Sequence, residues 1–212
     1  MEPYIKINTL FNRDITKKHR PIIEGDFSMP EIEYLADSEW EFTEKVDGTN
    51  IRVMFDGETI TFGGRSDRSS IPATLVNVLN NMFLPLVHNL KRSFPDGVCL
   101  YGEGYGKKIQ KGGHLYREDQ SFVLFDVKCG DWWLSQVGVH VVGESLGIHT
   151  VPMIGMGTLY DAIDMVKAGL ESKWGDFLAE GIVARPAIDL FDRGGNRIIT
   201  KIKSRDFGVT QL

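Results

Sequence analysis

The sequence predicts an α+β fold made mostly of antiparallel strands with a few helices, and three observations carry that expectation. Strand-like runs at 50–55 and 58–62 flank Asp56-Gly57, a dipeptide favouring the tight turn whose twist suits two antiparallel strands. Further short apolar or alternating runs recur at 40–44, 98–106, 121–127, 178–185 and 198–203. Helical spacing is confined to a few stretches, the clearest marked by Leu75, Leu79, Met82, Phe83, Leu86 and Leu90. With 212 residues, the chain is long enough for one substantial domain or two small ones, and 42% hydrophobic with 25% charged residues is an ordinary globular composition. A formal net charge of −5 argues against a surface coated for nucleic-acid binding, though not against a local basic groove. Cys99 and Cys129 show no metal-site or disulfide-framework spacing, and the chain has neither a leader-like start nor a membrane-length apolar run. A soluble protein of a reducing cytoplasm is expected.

Taken in order, Tyr4 to Phe11 mixes apolar and polar residues, as a short strand or an arm does. Lys17-Lys18-His19-Arg20 is a basic cluster, either a solvated face or a phosphate contact. Residues 30–35 read as a short helix with Ser28 as a candidate cap and Pro30 in the first turn. The hairpin that follows runs into Gly63-Gly64-Arg65 and returns Arg65 towards the Lys45 end. Ser69 to Pro72 looks like a helix start, and Pro85 should kink or split that helix. After the buried run 98–106 comes a basic loop with Lys107, Lys108, Lys111 and His114, suited to a nucleic-acid backbone. Residues 134–147 and 160–170 are expected to be helical, with a short strand near 151–154, and serve packing.

Several side chains in this frame point to chemistry. Lys45 ends a strand and precedes the turn signal Asp47-Gly48, so an amine stands where a ligand can approach closely, unless it is a plain surface lysine. Glycines beside Arg65 let backbone and guanidinium meet one anion. Glu103 lies among Gly102, Gly104 and Gly106, placed for a ribose hydroxyl or a metal-bound water, or is simply a loop acid. Phe125, beside Asp126, is either core or a platform for a base. Glu180 is the lone acid of a nearly apolar strand, and metal coordination would explain a buried charge there. Lys201 and Lys203 share a strand face and repel unless an anion lies between them.

In order, Lys45-Val46-Asp47-Gly48, Arg65, Tyr101-Gly102-Glu103, Phe125-Asp126, Glu180-Gly181-Ile182-Val183 and Lys201-Ile202-Lys203 resemble the six signature motifs of the covalent nucleotidyltransferases. That superfamily holds ATP-dependent RNA and DNA ligases and mRNA capping enzymes. Glu44 before the lysine and Asn50 five residues after it look most like RNA ligases of the RNA-ligase-2 type. The resemblance implies an adenylyltransferase domain with two antiparallel sheets, flanking helices and the ATP site between them. It would span 1–212 as a single domain, with no C-terminal OB-fold or accessory domain. It implies that Lys45 attacks the α-phosphate of ATP, that AMP passes to an RNA 5′-phosphate, and that a 3′-hydroxyl then displaces it. Lys45, Lys201, Lys203, Arg65 and Asn50 would be catalytic. Glu44, Lys45, Arg65, Glu103, Phe125, Lys201 and Lys203 would hold the nucleotide, with Glu103 at the ribose and Phe125 on adenine. Glu180 would hold Mg2+ or Mn2+, and the partner would be RNA with 5′-phosphate and 3′-hydroxyl ends, in the cytoplasm of a bacterium or phage-infected cell. A free lysine amine, with a pKa of about 10.4, is protonated at neutral pH. Neighbouring cations such as Lys201, Lys203 and Arg65 favour the neutral form of such an amine and offset phosphate charge. The alternatives are a DNA ligase or GTP-using capping enzyme, or a non-catalytic nucleotide- or RNA-binding module. The last sits badly with every charged motif position being occupied by a competent residue.

Overall fold

Ile51, Val53 and Phe55 alternate along one strand and are fully buried, while Trp40 and Phe42 do the same along another. These two patterns found two separate cores in the computed structural model, which describes residues 2–210. In chain order the strands are β1 (Asn8–Thr9), β2 (Phe11–Arg13), β3 (Ile22–Phe27), β4 (Trp40–Glu44), β5 (Thr49–Phe55), β6 (Ile60–Gly64), β7 (Val98–Gly106), β8 (Gln120–Cys129), β9 (Trp132–Trp133), β10 (Met153–Gly157), β11 (Gly181–Pro186) and β12 (Thr200–Lys203). The helices are α1 (Pro30–Tyr34), α2 (Ala73–Phe83), α3 (Val87–Ser93), α4 (Gly113–Tyr116), α5 (Gln136–Leu146) and α6 (Leu159–Lys167). This is the expected α+β class, with antiparallel sheets and few helices. The chain divides into two compact units, one of Met1–Ile5 and Asp47–Val151, the other of Lys6–Val46 and Pro152–Leu212.

The first unit is a five-stranded sheet in the order β6-β5-β7-β8-β9, every pairing antiparallel. Period-two alternation sends Ile51, Val53, Phe55, Val98 and Leu100 to one face, where α2, α3 and α5 supply Leu75, Leu79, Phe83, Leu90 and Val139. Phe83 meets Phe122 edge-on at 5.2 Å, the favoured geometry for two rings. The opposite face of β5 and β7 carries Asn50, Arg52, Tyr101 and Glu103 in cross-strand register. Pro85 splits the helical stretch as expected, with a 3-10 turn at Leu84–Leu86 between α2 and α3. The hairpin differs from the sequence reading. Phe55 pairs with Ile60, so four residues make the connection instead of two, because the Asp56 carboxylate accepts from the amides of Glu58 and Thr59 and closes a wider turn.

The second unit is a five-stranded sheet in the order β1-β12-β11-β4-β10, with the β2-β3 hairpin as a separate pair. Trp40, Phe42, Ile182, Ala184 and Ile202 fill its core face and pack on Leu159, Ala162, Ile163 and Val166 of α6. That helix begins with a reciprocal capping box between Thr158 and Asp161. Ser28 does not cap α1; Met29 occupies that position, and the Ser28 amide instead donates to the Leu10 carbonyl. No helix among the described residues is long and apolar enough to cross a membrane.

Candidate active site

In the second unit, the nine residues singled out from the sequence are represented by Lys45, Glu44, Glu180, Lys201 and Lys203. Lys45 leaves the end of β4, and its amide donates to the Gly181 carbonyl at 2.9 Å, which holds the lysine beside the start of β11. Glu180 directly precedes that strand, and its backbone is fixed by Ser204, just after β12: the Ser204 amide donates to the Glu180 carbonyl and the Ser204 hydroxyl to that of Ala179. Gly181 is what lets β11 and β12 close here. Its φ is +150°, and a Cβ would lie 2.0 Å from the Ile202 carbonyl oxygen.

These strands converge on one carboxylate. Glu180 Oε2 accepts from Lys45 Nζ at 2.5 Å and Oε1 from Lys203 Nζ at 2.9 Å. All three side chains are largely shielded, at 17%, 21% and 15% exposure respectively. Burial alone would raise the pKa of Glu180; the charges and hydrogen bonds of Lys45 and Lys203 overcome it and hold the carboxyl below its usual range. Lys201 shares its strand face with Lys203. Burial first, then the charges of Lys203 and Lys45, lower its pKa to about 8, against an opposing pull from Glu180. Three lysines around one carboxylate leave the cluster formally at +2 when all are charged, an environment built to receive an anion.

Glu44, expected from the sequence to contact the nucleotide, faces the core side of β4. It lies in register with Ile182 on the apolar side and is only 1% exposed. Its Oε1 accepts from the Ser172 hydroxyl at 2.5 Å and its Oε2 from the Lys173 amide at 2.8 Å, so it fastens the 171–178 loop. Burial raises its pKa, and those two hydrogen bonds pull the other way.

The first unit holds Asn50, Arg65, Glu103 and Phe125. Asn50 and Glu103 are direct cross-strand neighbours on β5 and β7. The Asn50 Oδ1 is buried with no hydrogen-bond partner, an acceptor awaiting a donor. Gly48 allows the turn before β5 to press against β7, since a Cβ there would lie 2.3 Å from the Gly104 oxygen and 2.7 Å from Glu103 Cγ. That turn is braced by the 107–119 loop, with Gln110 donating to the Gly48 carbonyl and the Asp47 amide donating to the Tyr116 hydroxyl. Phe125 is the extra residue of a β-bulge between the Tyr101–Asp126 and Gly102–Leu124 pairs, and bulges re-aim side chains. Arg65 is exposed and directly follows β6.

Sequence reading missed two supports. Tyr4 is buried, donates its hydroxyl to Asp126 at 2.5 Å and packs edge-on against Phe125 at 5.1 Å. Its only sequence signal was an aromatic in an otherwise mixed arm. Arg52 is fully buried within β5, and a charge among Ile51, Val53 and Phe55 was the visible clue. Among the described residues, no three His, Cys, Asp or Glu side chains gather into a metal-holding group.

Solved structures of Naegleria gruberi RNA ligase are similar to this chain in fold. An apo aspartate-to-alanine variant is 19% identical with a TM-score of 0.65, over 84% of this chain and 53% of that one. A lysine-to-alanine variant with ATP and Mn is 18% identical with a TM-score of 0.66, over 98% and 62%. The same enzyme with PPi gives 18% and 0.66, over 98% and 61%. This chain therefore spans less than two thirds of the length of those ligases. No curated protein matches it. The family model described as RNA ligase matches residues 38–203, from just before β4 to the last lysine of β12, and the chain belongs to that family.

Proposed function

We propose that this chain is an ATP-dependent RNA ligase that works through an AMP carried covalently on Lys45. The observation that carries the reading is the shared carboxylate of Glu180, which holds Lys45 and Lys203 at 2.5 and 2.9 Å. A lysine locked at a strand end among cations is suited to meet a phosphate. In the first step Lys45 Nζ bonds to the α-phosphorus of ATP, the bond to the bridging oxygen breaks, and pyrophosphate leaves. In the second, an oxygen of an RNA 5′-phosphate takes the AMP and frees the lysine. In the third, an RNA 3′-hydroxyl attacks that 5′-phosphorus and AMP departs. Lys201 and Lys203 neutralise phosphate charge, and Glu180 accepts hydrogen bonds that fix the reacting amine.

The donor set suits Mg2+ or Mn2+, which commonly bind one or two carboxylates and complete their shell with waters and phosphate oxygens. Glu180 is the residue that would hold such an ion, and the ion would withdraw charge from the phosphate under attack. Residues of the other unit are assigned by their own chemistry. Phe125 offers a ring to a base, Glu103 an acceptor to a ribose hydroxyl, and Asn50 and Arg65 an amide and a guanidinium to phosphate.

Incubation with ATP labelled on the α-phosphate, with Mg2+ or Mn2+, tests the reading. Label should remain on the denatured native chain, be absent from Lys45→Ala, and not be supplied by GTP. A 5′-phosphorylated RNA should then remove it as adenylylated RNA. Label transferred from GTP would favour a capping enzyme, and no label with either metal would leave a binding module.

A further inference from the structure

Arg52 is among the largest fully buried side chains of the protein, at 1% exposure, yet it sits mid-strand where an apolar residue would serve the sheet. Burying a guanidinium is costly unless its donors are satisfied, so its partners are informative. Nε donates to the Gly64 carbonyl at 2.7 Å and Nη2 to Asp67 Oδ1 at 2.7 Å. Gly63, directly opposite Arg52 in the β5–β6 pairing, leaves the lane open. A Cβ there would lie 2.9 Å from Arg52 Nη2 and 3.2 Å from Nε. The two anchors, residues 64 and 67, straddle Arg65. The Arg65 carbonyl itself accepts from the Tyr4 amide at 3.1 Å, and the Ser66 amide donates to the Ser69 hydroxyl. Backbone on both sides of Arg65 is thus pinned while its side chain stays exposed.

We propose that Arg52 is a positioning residue, whose fork crosses Gly63 to fix the 64–67 turn so that Arg65 presents its guanidinium to a phosphate. A rigid planar fork suits two acceptors set apart as these are, which a single ammonium does not match. This rests on the assignment of Arg65 to phosphate made above. The phosphate belongs either to ATP or to the RNA end, and the two are separated by the step that fails.

The test uses the full chain in two single-turnover assays: label transfer from α-labelled ATP to Lys45, and loss of label from pre-adenylylated protein on adding 5′-phosphorylated RNA. Arg65→Ala should slow one step tenfold or more. Arg52→Met should slow the same step at least fivefold and spare the other, with Arg52→Lys recovering part of the rate. Arg52→Met combined with Arg65→Ala should be no slower than Arg65→Ala alone. Losses that multiply in the double variant, or fall equally on both steps, overturn the proposal. Should Arg52→Met fail to fold, Asp67→Ala removes only the exposed anchor. It should cost twofold or more in the same step and nothing in the Arg65→Ala background; a wild-type rate overturns the proposal. If the native chain takes no label, the ligase reading fails on its own, and amide exchange at residues 65–69 then decides about Arg52. Faster exchange in Arg52→Met and Asp67→Ala upholds the pinning, and unchanged exchange refutes it.

Discussion

Glu180→Gln removes the one carboxylate between Lys45 and Lys203 and keeps its shape. The distances of 2.5 and 2.9 Å set the scale. At an effective dielectric of about 20, two unit charges about 3 Å apart attract by roughly 5–6 kcal/mol, and desolvation of both partners offsets much of that. Breaking a fully buried pair costs about 3–5 kcal/mol. Here the partners keep 15–21% of their side-chain exposure, so the expected loss at neutral pH is smaller, about 2–3 kcal/mol. For a chain of this size that lowers Tm by about 5–10 °C. The pH dependence has a definite sign. Glu180 is one of the charges keeping the pKa of Lys201 as high as about 8. Without it Lys201 sheds its proton earlier, so near and above neutral pH the folded variant binds fewer protons than the folded native chain. Its deficit therefore narrows as pH rises. Thermal denaturation followed by circular dichroism, at neutral pH and about two units above, reads both effects. A Tm within about a degree of native at both pH values would refute the role of Glu180 as counter-charge.

Lys201 itself should leave a mark on stability. Its folded pKa, about 8, lies below the ordinary 10.5, so the folded chain releases this proton first and stability rises with pH between those values. Lys201→Met should flatten that rise in urea midpoints and be more stable than native at neutral pH by about 1 kcal/mol, a figure already discounted for solvent screening. Glu44→Gln offers the 171–178 loop one acceptor where two donors meet it, and should cost about 1–3 kcal/mol by urea denaturation. Label formation per folded molecule should stay within about twofold of native, because its partners are Ser172 and the Lys173 amide. Lost label with native stability would instead favour the nucleotide contact expected of Glu44 from the sequence.

Local pattern carried most of the fold. Trp40 to Glu44 alternates and forms β4 at those bounds; Pro85 breaks its helix; Gly147 ends α5 in the left-handed region that glycine tolerates. Pairings distant in sequence stayed hidden. Nothing in Asn8-Thr9 announces a parallel partner in Thr200-Lys201, and the short β3 was unremarked because its burial is slight. The lysine cluster was legible because Glu180 interrupts a nearly apolar run, Lys45 ends a strand before a turn signal, and Lys201 and Lys203 alternate onto one strand face. The surroundings of Glu44 were not legible: it adjoins Lys45 in sequence, but adjacent strand residues face opposite sides of a sheet, and its partners Ser172 and Lys173 are distant in sequence.

The brace from Gln110 and Tyr116 onto Asp47 and Gly48 changes how the 107–119 segment should be handled in the laboratory. With its exposed lysines it looks like a place to cut, tag or splice, since exposed loop tips usually accept such changes. Here the backbone turn after Lys45 leans on that segment. A trypsin nick after Lys108 or Lys111, or a foreign loop grafted in, would release the turn while leaving both flanking strands intact.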